Sequence, residues 1–395
     1  MVSTDCLIIG GGLAGTAVSF ALSRHGLRSV IIDKIGIAAE GSGNPAGLAV
    51  ADSGRSAEVD PRDTRGFEVL SDVIGLHQRG GYLAGAVYGD VVQFPVTPRL
   101  AERCLVGAVS ATHLSQLTAA RCLSDGLVCR GITVDPSDLC RAHVFCSGAG
   151  VVIGEVVSLS LRNGKWRALN RHGEILGEAP VVCIANGAAA MAIPLTGWLK
   201  LERVRGQVVI VRASVKGLPE IPVCFDGYVL PIPAGGHLIG ADYDHISVDT
   251  RVHPGISSAL IRRMNKWLEV SIPSEAIRSG RVAFRTSTHD RLPYVGAVPD
   301  YWDFRARVDS ALKARRPVAA CEALLGDLSY LPNCFVSVGH GSRGLLSAHY
   351  AAELLTPKIL AVCGTGRDDA QPADTMLEPR RLMVRMMRDL RRARS

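Results

Sequence analysis

Asp5-Cys6-Leu7-Ile8-Ile9-Gly10-Gly11-Gly12-Leu13-Ala14-Gly15 decides the fold. Its first five residues read as a short buried strand. The glycines then follow the spacing G-x-G-x-x-G ahead of a helical run from Thr16 to His25. A second apolar strand, Ser29-Val30-Ile31-Ile32, closes on Asp33. Strand, glycine turn, helix, strand and acid in that order predict a Rossmann-type dinucleotide site. Gly10 permits the tight turn, Gly12 lets the backbone approach a pyrophosphate, and Gly15 lets helix and strand pack closely. The helix start, with Leu13 and Ala14, offers unpaired N–H groups to the phosphates. Asp33, about 20 residues on, is placed to accept hydrogen bonds from ribose hydroxyls.

Both NAD and FAD fit this unit, and the rest of the chain favours FAD. Gly41-Ser42-Gly43-Asn44-Pro45-Ala46-Gly47 is a second small-residue loop, suited to backbone lying against a larger cofactor. Val151 to Val156 reads as a strand entering a meander, and Val181 to Gly187 as a strand ending in a tight turn. More than 300 residues after the first motif comes Gly339-His340-Gly341-Ser342-Arg343-Gly344-Leu345, again opening a helical pattern. A helix start there directs N–H dipoles at the flavin pyrimidine edge, where negative charge develops on reduction. The expected cofactor contacts are therefore Gly10, Gly12, Leu13, Ala14, Gly15, Asp33, Lys34, Ser42, Gly43, Asn44, Val156, Asn186, Gly187, Gly339, Gly341, Ser342, Arg343, Gly344 and Leu345. No metal site is expected.

Composition agrees with a globular α/β protein: 395 residues, 47% hydrophobic, 42 glycines. The eleven cysteines form no C-x-x-C pair, and most lie in apolar runs, as buried thiols do. With no secretory leader, this predicts a reduced, cytoplasmic setting. The longest other apolar run, Val181 to Leu199, is broken by Asn186, Gly187, Pro194 and Gly197, so no membrane span is expected. Formal charge is +7, and the stretch Glu378–Ser395 holds seven arginines against two acids. Leu382, Met383, Met386, Met387 and Leu390 recur at helical spacing, which predicts a helix with one packed face and arginines turned outward. Those arginines suit either plain solvation or contact with RNA phosphates.

The middle of the chain reads as an inserted substrate domain. Leu201 to Val211 alternates as a strand, Phe225–Pro231 and His237–Ala241 read as its neighbours, and Ser257 to Glu269 carries helical periodicity. Tyr301 to Asn333 reads as a charged, irregular surface excursion. The expected division is an FAD-binding domain from 1–85, 141–202 and 286–395, with substrate-domain segments at 86–140 and 203–285.

The glycine fingerprint, Arg205-Gly206-Gln207, the strand pair around Asp226-Gly227-Tyr228, the arginine before Thr288-His289-Asp290-Arg291-Leu292-Pro293-Tyr294-Val295-Gly296, and the closing glycine loop resemble the FAD-dependent amino acid and amine oxidases of the glycine oxidase and sarcosine oxidase type. The resemblance implies a D-amino acid oxidase-like fold: a Rossmann-type FAD-binding domain with an inserted antiparallel-sheet substrate domain. Within that group, Gly41–Asn44, Asp226–Tyr228, Phe284-Arg285, Gly341–Leu345 and Pro379-Arg380-Arg381 resemble the oxidase domain of the bifunctional tRNA 5-methylaminomethyl-2-thiouridine biosynthesis proteins. That likeness implies oxidative removal of the carboxymethyl group from wobble uridine 34 of tRNA, with glyoxylate as second product. It makes Arg285 the holder of the substrate carboxylate and Tyr228 its hydrogen-bonding neighbour. Free amino acids or secondary amines remain the alternative substrates. His289 and His340 are not expected to act as bases, because hydride transfer needs no strong base. The family's methyltransferase domain has no counterpart ahead of the flavin strand, so methylation of the product is expected from a separate enzyme. The loop Pro45–Asp52 also departs from the family, lacking its more polar and aromatic continuation.

Overall fold

The computed structural model describes residues 4–52, 59–315, 317, 323–365 and 374–392. Its first sheet has six strands in the order Tyr294–Pro299, Tyr330–Val338, Val181–Ile184, Cys6–Ile9, Ser29–Asp33 and Gly150–Ile153. All neighbours are parallel except the first pair. Val181–Ile184 and Cys6–Ile9 are buried along their whole length, as the central strands of a sheet covered on both faces must be.

One face is covered by helices Leu13–Ser23, Pro61–Arg79, Pro136–Ser147 and Gly344–Val362, whose apolar sides share one core with the sheet. Two of these begin with proline in the first turn and an aspartate cap. Asp60 accepts from the Arg62 N–H, and Asp135 from the N–H groups of Ser137 and Asp138. The other face is covered by the meander Ser158–Arg162, Lys165–Leu169 and Ile175–Ala179, with Trp166 buried beneath it. The glycines of the first motif are sterically required. A Cβ on Gly15 would fall 2.0 Å from the Gly10 carbonyl oxygen, and Gly10, at φ +116°, sits against the Ala185–Asn186 backbone.

The second sheet has eight strands, ordered Ile277–Ser287, Glu202–Val211, His237–Gly240, Tyr228–Pro231, Val223–Cys224, Val87–Gln93, Leu127–Val134 and Gly47–Ala49. Only the Val223–Cys224/Val87–Gln93 pair is parallel. One side of this sheet buries Phe94, Phe225 and Ile239 against helices Ala111–Thr118 and Pro254–Met264, the latter contributing Leu260 and Met264.

Two expectations need correction. Residues 301–333 are not a wholly irregular excursion: Tyr301–Lys313 is a helix capped by Asp300. Phe304 and Val308 are buried in a small core with Met383 and Met387 of the last helix, Arg381–Arg392. High charge hid this short apolar stripe. Nor do the terminal arginines all face outward. Arg381 and Arg385 turn in to Asp290, at 3.0 and 2.5 Å, and Arg381 also stacks on the Tyr294 ring at 4.1 Å. Arg380 donates to the Leu325 carbonyl. Arg388 and Arg392 are exposed, while the side chain of Arg391 and all of Arg394 lie outside the described residues.

Candidate functional site

The parallel strands of the first sheet end side by side, so Gly10, Asp33, Gly154, Asn186 and Gly339 rim one edge. From the central strand Cys6–Ile9 the chain continues to Ser29–Asp33 on one side and meets Val181–Ile184 on the other, which makes this edge the topological switch point. The helix begun by Leu13, Ala14 and Gly15 points its N-terminus here, with no acid in its first turn. Asp33 receives the N–H groups of Gly11 (2.7 Å), Ile35 (2.9 Å) and Gly36 (2.9 Å), which fixes its carboxylate at the strand end. Lys34 pairs with Glu155 at 3.3 Å on the surface, and Val156 is buried beside it.

The second glycine loop folds back over the first. Ser42 Oγ accepts the Leu13 N–H at 3.0 Å, and Gly12 lies against the same hydroxyl. Arg281, which sequence reasoning missed, clamps this loop: it donates to Asn44 Oδ1 (2.7 Å), to the Ala39 carbonyl (3.4 Å) and to the Glu40 carbonyl. Gly43 is filled by that guanidinium, which lies 2.7 Å from where its Cβ would be. Burial lowers the Arg281 pKa, opposed by the Glu40 charge. An arginine in a strand carries no motif, and its four-residue spacing from Arg285 was the one available signal.

The clamp belongs to strand Ile277–Ser287, which touches the second glycine loop, the turn at Gly187 and the closing glycine loop. The Phe284 carbonyl faces Gly41, Thr286 Oγ1 accepts the Ala188 N–H at 2.9 Å beside Gly187, and Ser287 lies next to Gly341. Gly339 and Gly341 both take positive φ, and Gly344 then opens the helix with Leu345 buried beneath. Arg343 is committed to Asp63 at the start of helix Pro61–Arg79, so its guanidinium ties the loop to that helix. Burial raises the Asp63 pKa against the charge of Arg343. His340 is bonded to Ser337 (3.1 Å) and Ser347 (3.0 Å), and burial pushes it down to about 4, so it is neutral at physiological pH.

Arg285 lies on the same strand, packed across the bare backbone of Gly206. Its guanidinium sits beside the Tyr228 hydroxyl and 4.5 Å from the centre of the Tyr243 ring. One of its terminal nitrogens, Nη1, is buried without a hydrogen-bond partner, and no acid pairs with it among the described residues. Burial raises the Tyr228 pKa, partly offset by Arg285, so the phenol is protonated and can donate. Tyr243 Oη lies 3.1 Å from Ser342 Oγ, which joins this cluster to the closing glycine loop.

The site residues fit a dinucleotide flavin. The glycine cradle, the acid-free helix start, the fixed Asp33 and an unpartnered buried oxygen, Asn186 Oδ1, all lie at one edge; the Leu13 N–H, expected to be unpaired, is instead taken by Ser42 Oγ. Residues 5–357 match the FAD dependent oxidoreductase family, and the chain belongs to it. It is an FAD-dependent oxidoreductase with the fold of that family. Among individual proteins it is similar to the tRNA 5-methylaminomethyl-2-thiouridine biosynthesis bifunctional protein MnmC of Burkholderia pseudomallei, at 29% identity over 97% of this chain and 60% of that protein. The Burkholderia multivorans protein of the same name is 32% identical over 89% of this chain and 56% of its own length. The chain thus spans somewhat more than half the length of these relatives. Glycine oxidase from Geobacillus kaustophilus has the same fold, with a TM-score of 0.72 at 20% identity over 95% of this chain and 97% of that one. L-proline dehydrogenase from P. horikoshii gives 0.69 at 15% identity, covering 97% and 98%. No described helix is long and apolar enough to cross a membrane.

Proposed function

We propose that this protein oxidatively removes the carboxymethyl group from 5-carboxymethylaminomethyl(-2-thio)uridine at position 34 of tRNA, leaving 5-aminomethyl(-2-thio)uridine and glyoxylate. The observation that carries the reading is the half-buried Arg285, whose Nη1 is buried without a hydrogen-bond partner, beside a protonated Tyr228 and the closing cofactor loop. A desolvated guanidinium nitrogen without an acceptor is costly unless a ligand completes it, and a carboxylate matches the fork of a guanidinium. The relatives suggest the nucleoside: both are named for the biosynthesis of 5-methylaminomethyl-2-thiouridine in tRNA.

FAD held at this edge would supply the two-electron acceptor for hydride loss from the methylene between the substrate nitrogen and carboxylate. The nitrogen lone pair closes a C=N bond as that hydride leaves. Water then adds to the imine carbon, and the C–N bond breaks to give primary amine and glyoxylate. The protein's part is positioning: Arg285 grips the carboxylate, Tyr228 donates a second hydrogen bond to it, and the two together fix which C–H faces the cofactor edge. Neutral His340, already bonded to two serines, is not needed as a base. In this reading Gly10, Gly12, Leu13, Ala14 and Gly15 hold the pyrophosphate and Asp33 the ribose. Lys34 and Val156 border the adenosine, while Ser42–Asn44, Asn186-Gly187 and Gly339–Leu345 surround the flavin. Exposed Arg388 and Arg392 supply charge for tRNA phosphates. The ten described cysteines are all free thiols, in keeping with work on tRNA in the cytoplasm.

The test is anaerobic mixing of the holoprotein with tRNA bearing carboxymethylaminomethyluridine. Bleaching of flavin absorbance by that tRNA, and not by unmodified tRNA or free glycine, is expected. Bleaching by glycine, sarcosine or a D-amino acid alone would make this a small-molecule oxidase instead.

A further inference from the structure

Arg205 is 1% exposed, yet its guanidinium serves no ligand. It donates to the Asp249 carbonyl (2.8 Å), the Arg251 carbonyl (2.7 Å), the Asp242 carboxylate (3.2 Å) and Gln207 Oε1 (3.2 Å). Gln207, also buried, accepts the His253 N–H and donates to the His253 carbonyl and Ser257 Oγ. The main chains of Arg205 and Asp244 bridge each other in both directions. Apart from the Arg205–Gln207 bond and the bond to Ser257, these bonds hold one loop, residues 242–253. The loop does not hold itself by apolar packing, because Ile246 is 92% and Val248 74% exposed. A buried cation has been spent on fixing a surface loop, and the side chain that loop delivers to the site is Tyr243.

Tyr243 is fixed three ways: by its loop, by its hydroxyl on Ser342, and by the Arg285 guanidinium over its ring. It is nevertheless 50% exposed, unusual for an aromatic ring so fully anchored. We propose that Tyr243 is the specificity residue of this site, a platform on which a planar ring carried by the substrate nitrogen stacks while Arg285 holds the carboxylate. The ligand class is an N-substituted glycine whose nitrogen substituent ends in an aromatic or pyrimidine ring. The placement of the carboxylate at Arg285 rests on the function proposed above; the stacking is a separate claim.

The test compares N-benzylglycine with N-methylglycine as anaerobic reductants of the holoprotein, for wild type, Tyr243→Phe and Tyr243→Leu. The quantity read is the ratio of the two second-order rate constants for flavin reduction, which cancels any disturbance of Arg285 common to both probes. Tyr243→Phe should keep the wild-type ratio, and Tyr243→Leu should lower it by about ten-fold, the size of one ring-stacking contact. An unchanged ratio in Tyr243→Leu overturns the proposal, as does a wild type that does not favour the benzyl probe. Failure of carboxymethylaminomethyluridine tRNA to reduce the wild type, with the benzyl preference and its Tyr243 dependence intact, would sink the tRNA reading and leave the platform standing.

Discussion

Replacing Arg281 with methionine isolates the clamp between the substrate strand and the cofactor loop. Methionine keeps most of the buried stem and removes the three donations to loop 39–44. The 3.4 Å contact with Ala39 contributes little, which leaves the bonds to Asn44 and Glu40. Charge-assisted hydrogen bonds are each worth about 1.5–3 kcal/mol. Because the guanidinium is only partly buried, water recovers a share of that, and about 2–3 kcal/mol is a reasonable net loss. The loop carries Ser42, which bonds the start of the cofactor helix. Once the clamp is gone, the ordering of the loop must be supplied by FAD binding itself, so the loss should appear in the FAD Kd. It should rise by about 30- to 100-fold, read by quenching of flavin fluorescence on titrating apoprotein. The urea midpoint at saturating FAD should move much less. An FAD Kd within about three-fold of wild type would refute the assignment of the clamp.

Four further outcomes are expected. Arg285→Gln should lower kcat/KM for the carboxylated substrate by about 2–4 kcal/mol in transition-state terms, with flavin content unchanged and Arg285→Lys intermediate. Asp290→Asn should cost about 2–4 kcal/mol of unfolding free energy, because it strands Arg381 and Arg385. Burial alone would raise the Asp290 pKa, but the bonds and charge of Arg381 hold it well below the carboxylate range. Its contribution is therefore present at neutral pH and lost as pH falls below about 5, and urea titrations of wild type and variant should converge in acid. Buried His77, His143 and His349 have lowered pKa values, His77 and His349 to about 4, chiefly through desolvation. They stay neutral in the folded state and take up protons on unfolding below about pH 6.5, so stability should decline from there toward pH 4. His349→Gln should flatten that slope by about one proton. Finally, Arg388→Glu should weaken tRNA binding and reduce its salt slope by about one or more; an unchanged slope would make the tail a structural helix only.

The first 33 residues and the loop 339–345 could be read from sequence because glycine spacing, burial and chain order all point the same way there. A backbone that must approach phosphate or turn at positive φ leaves a mark in residue type. Arg281 and Tyr243 leave almost none: Arg281 acts on a loop 237 residues away and Tyr243 sits in a loop without a pattern, and only the tertiary arrangement defines them. Arg205-Gly206-Gln207 was recognisable as a motif, but its work, holding loop 242–253, depends on bonds of 35 to 46 residues' separation. The terminal helix shows the opposite error. Its arginine count suggested an outward face, whereas Arg381 and Arg385 neutralise one half-buried aspartate, because an acid in the Thr288–Pro293 turn draws the nearest cations inward.

Strand Ile277–Ser287 behaves as a ruler. Arg281, Arg285 and Thr286 are marks on one rigid edge, about 3.3 Å apart per residue, so the distance from cofactor clamp to substrate anchor is set by covalent geometry. A single inserted residue would move every later mark to the opposite face. Lineages that change their substrate therefore have little freedom along this strand. Their diversity should accumulate in the loop that faces it, where length and sequence can drift without moving either end of the scale.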